Sequence, residues 1–254
     1  MQSPRLLVIG DFNGREPSRA RLERVGAERL PVLVIDNLLI DPTSLLRVAH
    51  EAVYLEPRVK SFPGIYAPAP LDYVEFLTEH LLPRLQVVFG LDGWHVVAAS
   101  GEFSLITHPP DTLALPQRVP HSDGNSPGLL ALLHYITPGD CFGTAFYRHR
   151  ATGFERITVE RREIYLEALN TELLITPTHG YLSGDTTLFE QTRAFDGRFN
   201  RLIVYQGFGL HCANVPPDFH FSADPHRGRL TVNTFFDLRP QGLSGDCQPK
   251  LTGR

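Results

Sequence analysis

The sequence predicts a mostly β protein with flanking helices, built as a sandwich or jelly roll. Beyond Gly93 the chain breaks into short apolar segments, most of them bounded by Gly, Pro, Asp or Asn. Helical periodicity is confined to the first third of the chain and to one later segment. Hydrophobic residues make up 42% of 254 positions, ample for a sizeable core, and no linker, repeat or low-complexity stretch divides them.

Taken in order, Arg15 to Glu28 is polar enough to be mobile. The β-branched run Pro31-Val32-Leu33-Val34-Ile35-Asp36 then predicts a strand. Pro42-Thr43-Ser44 opens a helix through Leu45, Leu46, Val48 and Ala49, with Thr43 or Ser44 as its N-cap. Val74, Leu77, Leu81, Leu82, Leu85 and Val88 repeat at helical spacing, so Leu71 to Phe89 reads as a helix bent or broken near Pro83. Strands are predicted at Trp94 to Ala99, Glu102 to Thr107, Leu129 to Thr137, Thr144 to Tyr147, Tyr181 to Ser183, Arg201 to Tyr205 and Arg229 to Asp237. Thr158 to Leu174 reads as a charged amphipathic helix inserted in the β core, with Ile164, Leu166, Leu169 and Leu173 turned inward. Residues 241 to 254 look like a loose tail.

Charge excludes some functions. With 24 basic and 28 acidic residues there is no broad footprint for nucleic acid or for an anionic membrane. No run of about 18 apolar residues occurs, and the N-terminal apolar run is too short for a signal peptide, so a soluble cytoplasmic protein is expected. Cys141, Cys212 and Cys247 form no CxxC and suit a reduced compartment. Cys212 reads as a half-buried strand residue whose side chain points away from that of His211.

Three separated pieces carry chemistry. His121-Ser122-Asp123 is the only His-x-acid triplet in the chain, and on extended backbone its first and third side chains project to one side. His211 follows a hydrophobic strand, Asn200 to Tyr205, and a glycine-rich bend. Two imidazoles and a carboxylate on a stiff β scaffold form the facial triad that suits non-haem Fe(II) and leaves positions open. Arg229, Thr231 and Asn233 share one face of the last strand, where a guanidinium and a hydroxyl can hold a planar carboxylate. The competing assignments are a turn capped by Asp123, an Arg229 paired with Asp237 or Glu102, and Arg227 in place of Arg229.

The order of these pieces resembles the Fe(II)/2-oxoglutarate-dependent dioxygenases, particularly their prolyl-hydroxylase-like branch. The matching elements are His121-Ser122-Asp123, Tyr135-Ile136-Thr137, Phe142-Gly143-Thr144-Ala145-Phe146-Tyr147, Asn200-Arg201-Leu202, His211 and Arg229-Leu230-Thr231, spread over roughly residues 95 to 237. The chain is also similar to a bacterial family of this type with no assigned substrate. It departs from the pattern where a paired glycine becomes Phe142-Gly143, an asparagine becomes Thr137 and a serine becomes Thr231.

The resemblance implies a single domain spanning 1–254. An N-terminal strand and helices (1–93) would pack on a double-stranded β-helix, cupin-like core (94–237), followed by a tail (238–254). It implies Fe(II) on His121, Asp123 and His211, and 2-oxoglutarate as co-substrate held by Arg229, Thr231 and Tyr135. The activity implied is hydroxylation of an unactivated C–H, since a carboxylate ligand argues against a halogenase. The substrate would be a small molecule, an amino acid or a peptide or protein side chain, and a homodimer is compatible with the sequence. The alternatives are a jelly-roll binding or scaffolding protein without turnover and a cupin-like enzyme using another divalent ion. Selectivity is expected in the loops His108 to Arg118, Ser122 to Gly128 and Arg148 to Thr178, with His108, Tyr147 to Arg150 and His179 beside the mouth. Trp94 and Phe219-His220-Phe221 are expected to pack.

Overall fold

The computed structural model describes residues 19–57, 62–241 and 250–251. Strands β1 (Arg19–Val25) and β2 (Leu30–Asp36) form an antiparallel hairpin. The predicted mobility of residues 15 to 28 is therefore corrected over Arg19–Val25, where backbone pairing to β2 overrides a polar sequence. Helix α1 spans Thr43–Glu51, and its start is capped from outside: Asp41 accepts bonds from the Thr43 backbone N–H and hydroxyl, while Ser44 donates to the Asp41 carbonyl. Neither Thr43 nor Ser44 is the N-cap. Strand β3 (Gly64–Pro68), which periodicity did not reveal, precedes α2 (Leu71–His80) and α3 (Leu82–Phe89). The predicted break falls at Leu81, and Pro83 sits in the first turn of α3, where its missing N–H is harmless.

Trp94 to Ile106 is one long strand, β4, rather than two; Ser100 and Gly101 continue it because β10 (Leu230–Pro240) is long enough to pair straight through. The remaining strands are β5 (Leu129–Tyr135), β6 (Asp140–His149), β7 (Phe189–Arg198), β8 (Arg201–Gln206), β9 (His211–Ala213) and the two-residue β11 (Lys250–Leu251). Tyr181 to Ser183 is irregular, contrary to expectation. β7 went unpredicted because its sequence, FEQTRAFDGR, is polar, as befits the edge of a small sheet. Cys247 and the first eighteen residues lie outside the described residues.

The large sheet runs β1-β2-β8-β5-β10-β4, with β3 and β11 both against β4; the small sheet runs β7-β6-β9. His121 extends the small sheet by an antiparallel bridge to His211. Successive segments alternate between the sheets: β4 large, His121 small, β5 large, β6 and β7 small, β8 large, β9 small, β10 large. That winding is a jelly roll.

Alternation sorts the side chains into layers. Leu33, Ile35, Leu130, Leu132, Leu202, Val204, Val232 and Phe236 point out of the sandwich into α1, α2 and α3, against Tyr73, Leu77, Leu81 and Leu85. Val32, Val34, Ala131, Tyr135, Ile203 and Tyr205 point inward and meet Phe146 and Phe195 of the small sheet. Strands such as Leu129–Tyr135 are covered on both faces, which is why they read as continuous apolar runs. Helix α4 (Val159–Ile175) covers the outer face of the small sheet through Tyr165 and Leu169, packed with Tyr147, Phe189 and Leu210. Leu166 and Leu173 pack at the margin of that cluster, but Ile164 is 56% exposed; Tyr165 takes the inward place expected for it.

Candidate metal centre

The β bridge fixes the two histidines. His121 N–H donates to the His211 carbonyl and His211 N–H to the His121 carbonyl, each at 2.9 Å. Two residues on, Asp123 N–H donates to the Gly207 carbonyl at 2.7 Å, so the acid is tied to the bend that precedes the distal histidine. The side chains then converge: Asp123 Oδ1 lies 3.7 Å from His121 Nε2, Asp123 Oδ2 lies 3.6 Å from His211 Nε2, and the imidazole centroids are 4.4 Å apart. The ligand atoms of the three residues all fall within 4.8 Å of one another. Atoms so placed can share one ion at roughly 2.1 Å, the usual length of a bond from a divalent ion to imidazole or carboxylate.

Protonation favours the same role. His211 Nδ1 sits 2.9 Å from the Gly209 carbonyl, which can only accept, so Nδ1 carries the proton and Nε2 presents its lone pair to Asp123. Burial, then the neighbouring His211, lowers the pKa of His121 to about 4; burial likewise lowers that of His211 to about 4. Burial raises that of Asp123 to about 6, partly offset by His121. The His121 side chain is 52% exposed where it lines the cavity, yet the surrounding protein still desolvates its charged form. Two neutral imidazoles beside an anion-ready carboxylate make a donor set suited to a divalent metal.

These three residues open into a cavity of about 810 Å³. At one end lies Arg229, 4% exposed. A register shift in β6 between Cys141 and Thr144 frees two carbonyls toward it: Nε donates to the Phe142 carbonyl at 3.0 Å and Nη2 to that of Gly143 at 3.5 Å. Gly143 is required there, since a β-carbon would come 1.8 Å from the Phe195 carbonyl oxygen. Phe142, in the place of the first glycine of the pattern, lies under the guanidinium, 4.8 Å from ring centroid to Cζ. Neither Asp237, which pairs with Arg239, nor any other carboxylate of the described residues forms an ion pair with Arg229. Arg227 is 82% exposed and faces Asp224 at 3.8 Å.

Other expected residues fall at varying distance from this end. The Tyr135 ring lies 5.2 Å from the Arg229 Cζ, and its hydroxyl bonds the Thr144 hydroxyl at 2.8 Å. Thr231 is fully buried and donates to Asn233 Oδ1 at 2.9 Å; Asn233, not Thr231, lines the cavity. Cys212 lines it too, with a thiol that burial pushes up to about 12. Thr144, Tyr205 and Tyr66 also line the cavity and were not anticipated as site residues. Thr144 stood inside the Phe-Gly-Thr turn, but Tyr66 belongs to an unpredicted strand and left no signal.

The expected mouth residues divide. Pro116, Gln117 and Ser122 line the cavity, whereas no residue of Arg148 to Thr178 does; Tyr181 and Leu182, just past that segment, line it instead. Tyr147 and His149 are buried, His149 Nε2 meeting Glu172 at 2.7 Å, while Arg148 pairs with Glu155 and Glu190, and Arg150 with Asp185. These four are structural. Trp94 packs on the helical layer, and Phe219 and Phe221 pack edge to face. No helix of the described residues is long and apolar enough to cross a membrane.

Among solved structures, HygX from Streptomyces hygroscopicus, determined with nickel, 2-oxoglutarate and hygromycin B bound, is similar at 14% identity and a TM-score of 0.46, with 84% of each chain covered. No curated protein matches the chain. One family model matches residues 16–236, most of the described fold and the whole candidate site, and the chain accordingly belongs to that family, the family of unknown function DUF6445.

Proposed function

We propose that this protein is a non-haem Fe(II)- and 2-oxoglutarate-dependent oxygenase that hydroxylates an unactivated C–H bond. The observation that carries the reading is a single cavity holding both the His121, Asp123 and His211 donor set and a buried arginine with no acidic partner among the described residues. A buried cation in that condition calls for an anionic ligand. A dicarboxylate in that cavity could meet a metal with one end and the guanidinium with the other.

In this reading His121 Nε2, Asp123 and His211 Nε2 hold Fe(II), which with 2-oxoglutarate supplies the oxidation of substrate by dioxygen. Arg229 pairs with the far carboxylate of the co-substrate, its planar fork aimed by the Phe142 and Gly143 carbonyls and flanked by the Tyr135 and Phe142 rings. Thr144, Tyr205 and Asn233 line the same cavity. A cavity of about 810 Å³ accommodates a co-substrate and a second small molecule or a side chain. The prolyl-hydroxylase-like branch, a cytoplasmic location, a homodimer and the absence of nucleic-acid partners belong to the same proposal.

The test is anaerobic titration of Fe(II)-loaded protein with 2-oxoglutarate. A visible charge-transfer band that saturates at one equivalent is expected. Tight metal binding without that band, or with a preference for another divalent ion, would transfer the protein to the cupin-like alternative; absence of metal binding would leave a binding or scaffolding role.

A further inference from the structure

One wall of the cavity is added to the jelly roll from outside. β3 pairs with β4 beyond its contact with β10, placing Tyr66 opposite Ser104. The approach is close: at Gly64 a β-carbon would lie 1.8 Å from the Leu105 carbonyl oxygen. On its other side the Tyr66 backbone exchanges two hydrogen bonds with Leu55, at 2.9 and 2.8 Å, and its ring stacks on Phe62 with centroids 4.6 Å apart. The residue is thus held along both backbone edges and by one ring face.

Its hydroxyl is nevertheless left over. Among the tyrosines lining the cavity, Tyr181 donates to the His108 carbonyl at 2.7 Å, and the Gln117 side chain is spent on Ala114 N–H and the Phe62 carbonyl. The Tyr66 hydroxyl has no hydrogen-bond partner among the described residues, unlike most partly buried phenols. Tyr205 shares that condition but is 2% exposed, its ring packed edge-on to His211 and Phe146 in the core of the sandwich, with three strands between β8 and β3. Tyr66 lines the cavity into which His121, Asp123 and His211 open, and burial, then the charges of Glu102 and Asp123, raises its pKa, which keeps it a donor.

We propose that Tyr66 is the hydrogen-bond donor to whatever group occupies the open side of the His121, Asp123 and His211 centre, and so positions that group. The inference rests on the metal reading above, and needs only a divalent ion at those residues.

The experiment uses Co(II)-loaded protein titrated with azide, an anionic acceptor, and followed by visible absorption. Tyr66→Phe keeps the ring and its stack but removes the donor, so azide should bind about tenfold more weakly, the loss expected for one hydrogen bond to a charged acceptor. Co(II) affinity and the thermal midpoint should match wild type. Tyr181→Phe should leave azide binding unchanged, and Phe62→Leu, which frees the phenol, should fall between. Equal azide affinity in wild type and Tyr66→Phe, with Co(II) bound in both, overturns the proposal alone. Failure of wild type to take up Co(II) overturns the metal reading, and this inference with it.

Discussion

At His211 one hydrogen bond settles which nitrogen is available, and at Arg229 two carbonyls settle which way a buried cation faces. Each residue therefore has a separable test. His121→Ala, Asp123→Ala and His211→Ala should each strip Fe(II) from the protein while leaving its circular dichroism near wild type, because all three side chains line the cavity. Metal content by elemental analysis close to that of wild type in the Asp123 variant would defeat the assignment. Arg229→Ala should weaken 2-oxoglutarate binding by about 2 to 5 kcal/mol, the range for truncating a desolvated charge pair. Arg227→Ala, on a solvated side chain, should change it little, and calorimetric titration distinguishes the two. The convergence of His121 and Asp123 was legible in the sequence because i, i+2 geometry on a strand is rigid. Thr231 was legible as a position on the right face but not as a side chain turned to Asn233, since a short hydroxyl chooses its partner only in three dimensions.

At the scale of elements, the apolar strands β2, β5, β8 and β10 declared themselves because both of their faces are buried. β1, β3 and β7 did not: they are flanking or edge strands with mixed composition, and only pairing identifies them. Asn200-Arg201-Leu202 shows a motif serving structure. Asn200 takes a left-handed backbone (φ 61°), and Arg201 pairs with Asp36 and the Asp196 carbonyl, which locks the β7–β8 turn to β2. The inserted helix α4 lies within a segment expected to govern selectivity, but its buried Tyr165 and Leu169 put it under the small sheet with no residue lining the cavity. Leu169→Ala should accordingly destabilise the protein by roughly 2 to 5 kcal/mol, as buried leucine truncations do. Denaturant unfolding measures that loss, and an unchanged affinity for 2-oxoglutarate should accompany it; a shift in affinity without loss of stability would return α4 to the site.

Across the whole molecule, a buried polar chain joins the helical layer to the sheet. Asn200 Oδ1 accepts from Leu39 N–H and from His134 Nε2, His134 Nδ1 accepts from the Tyr73 hydroxyl, and Asn200 Nδ2 donates to the Leu39 carbonyl. Burial lowers the His134 pKa to about 4. The folded-state value thus lies below the unfolded one, near 6.5, so the unfolded chain takes up this proton first as pH falls. The stability linked to His134 is present above about pH 6.5 and is lost progressively toward pH 4, by roughly 3 kcal/mol in total. Urea unfolding of metal-free protein at pH 7.5 and pH 5 should show that decline, and His134→Gln should make it shallower; identical slopes would remove His134 from the account. The backbone bridge between His121 and His211 has a consequence of a different kind. It joins the segment that enters the small sheet first to the one that enters it last, so an ion held by both side chains acts as a reversible staple across everything between them. Loading should then slow amide hydrogen exchange at positions far from any ligand, and at a hundredfold excess over Kd it should deepen global stability by about 2.7 kcal/mol.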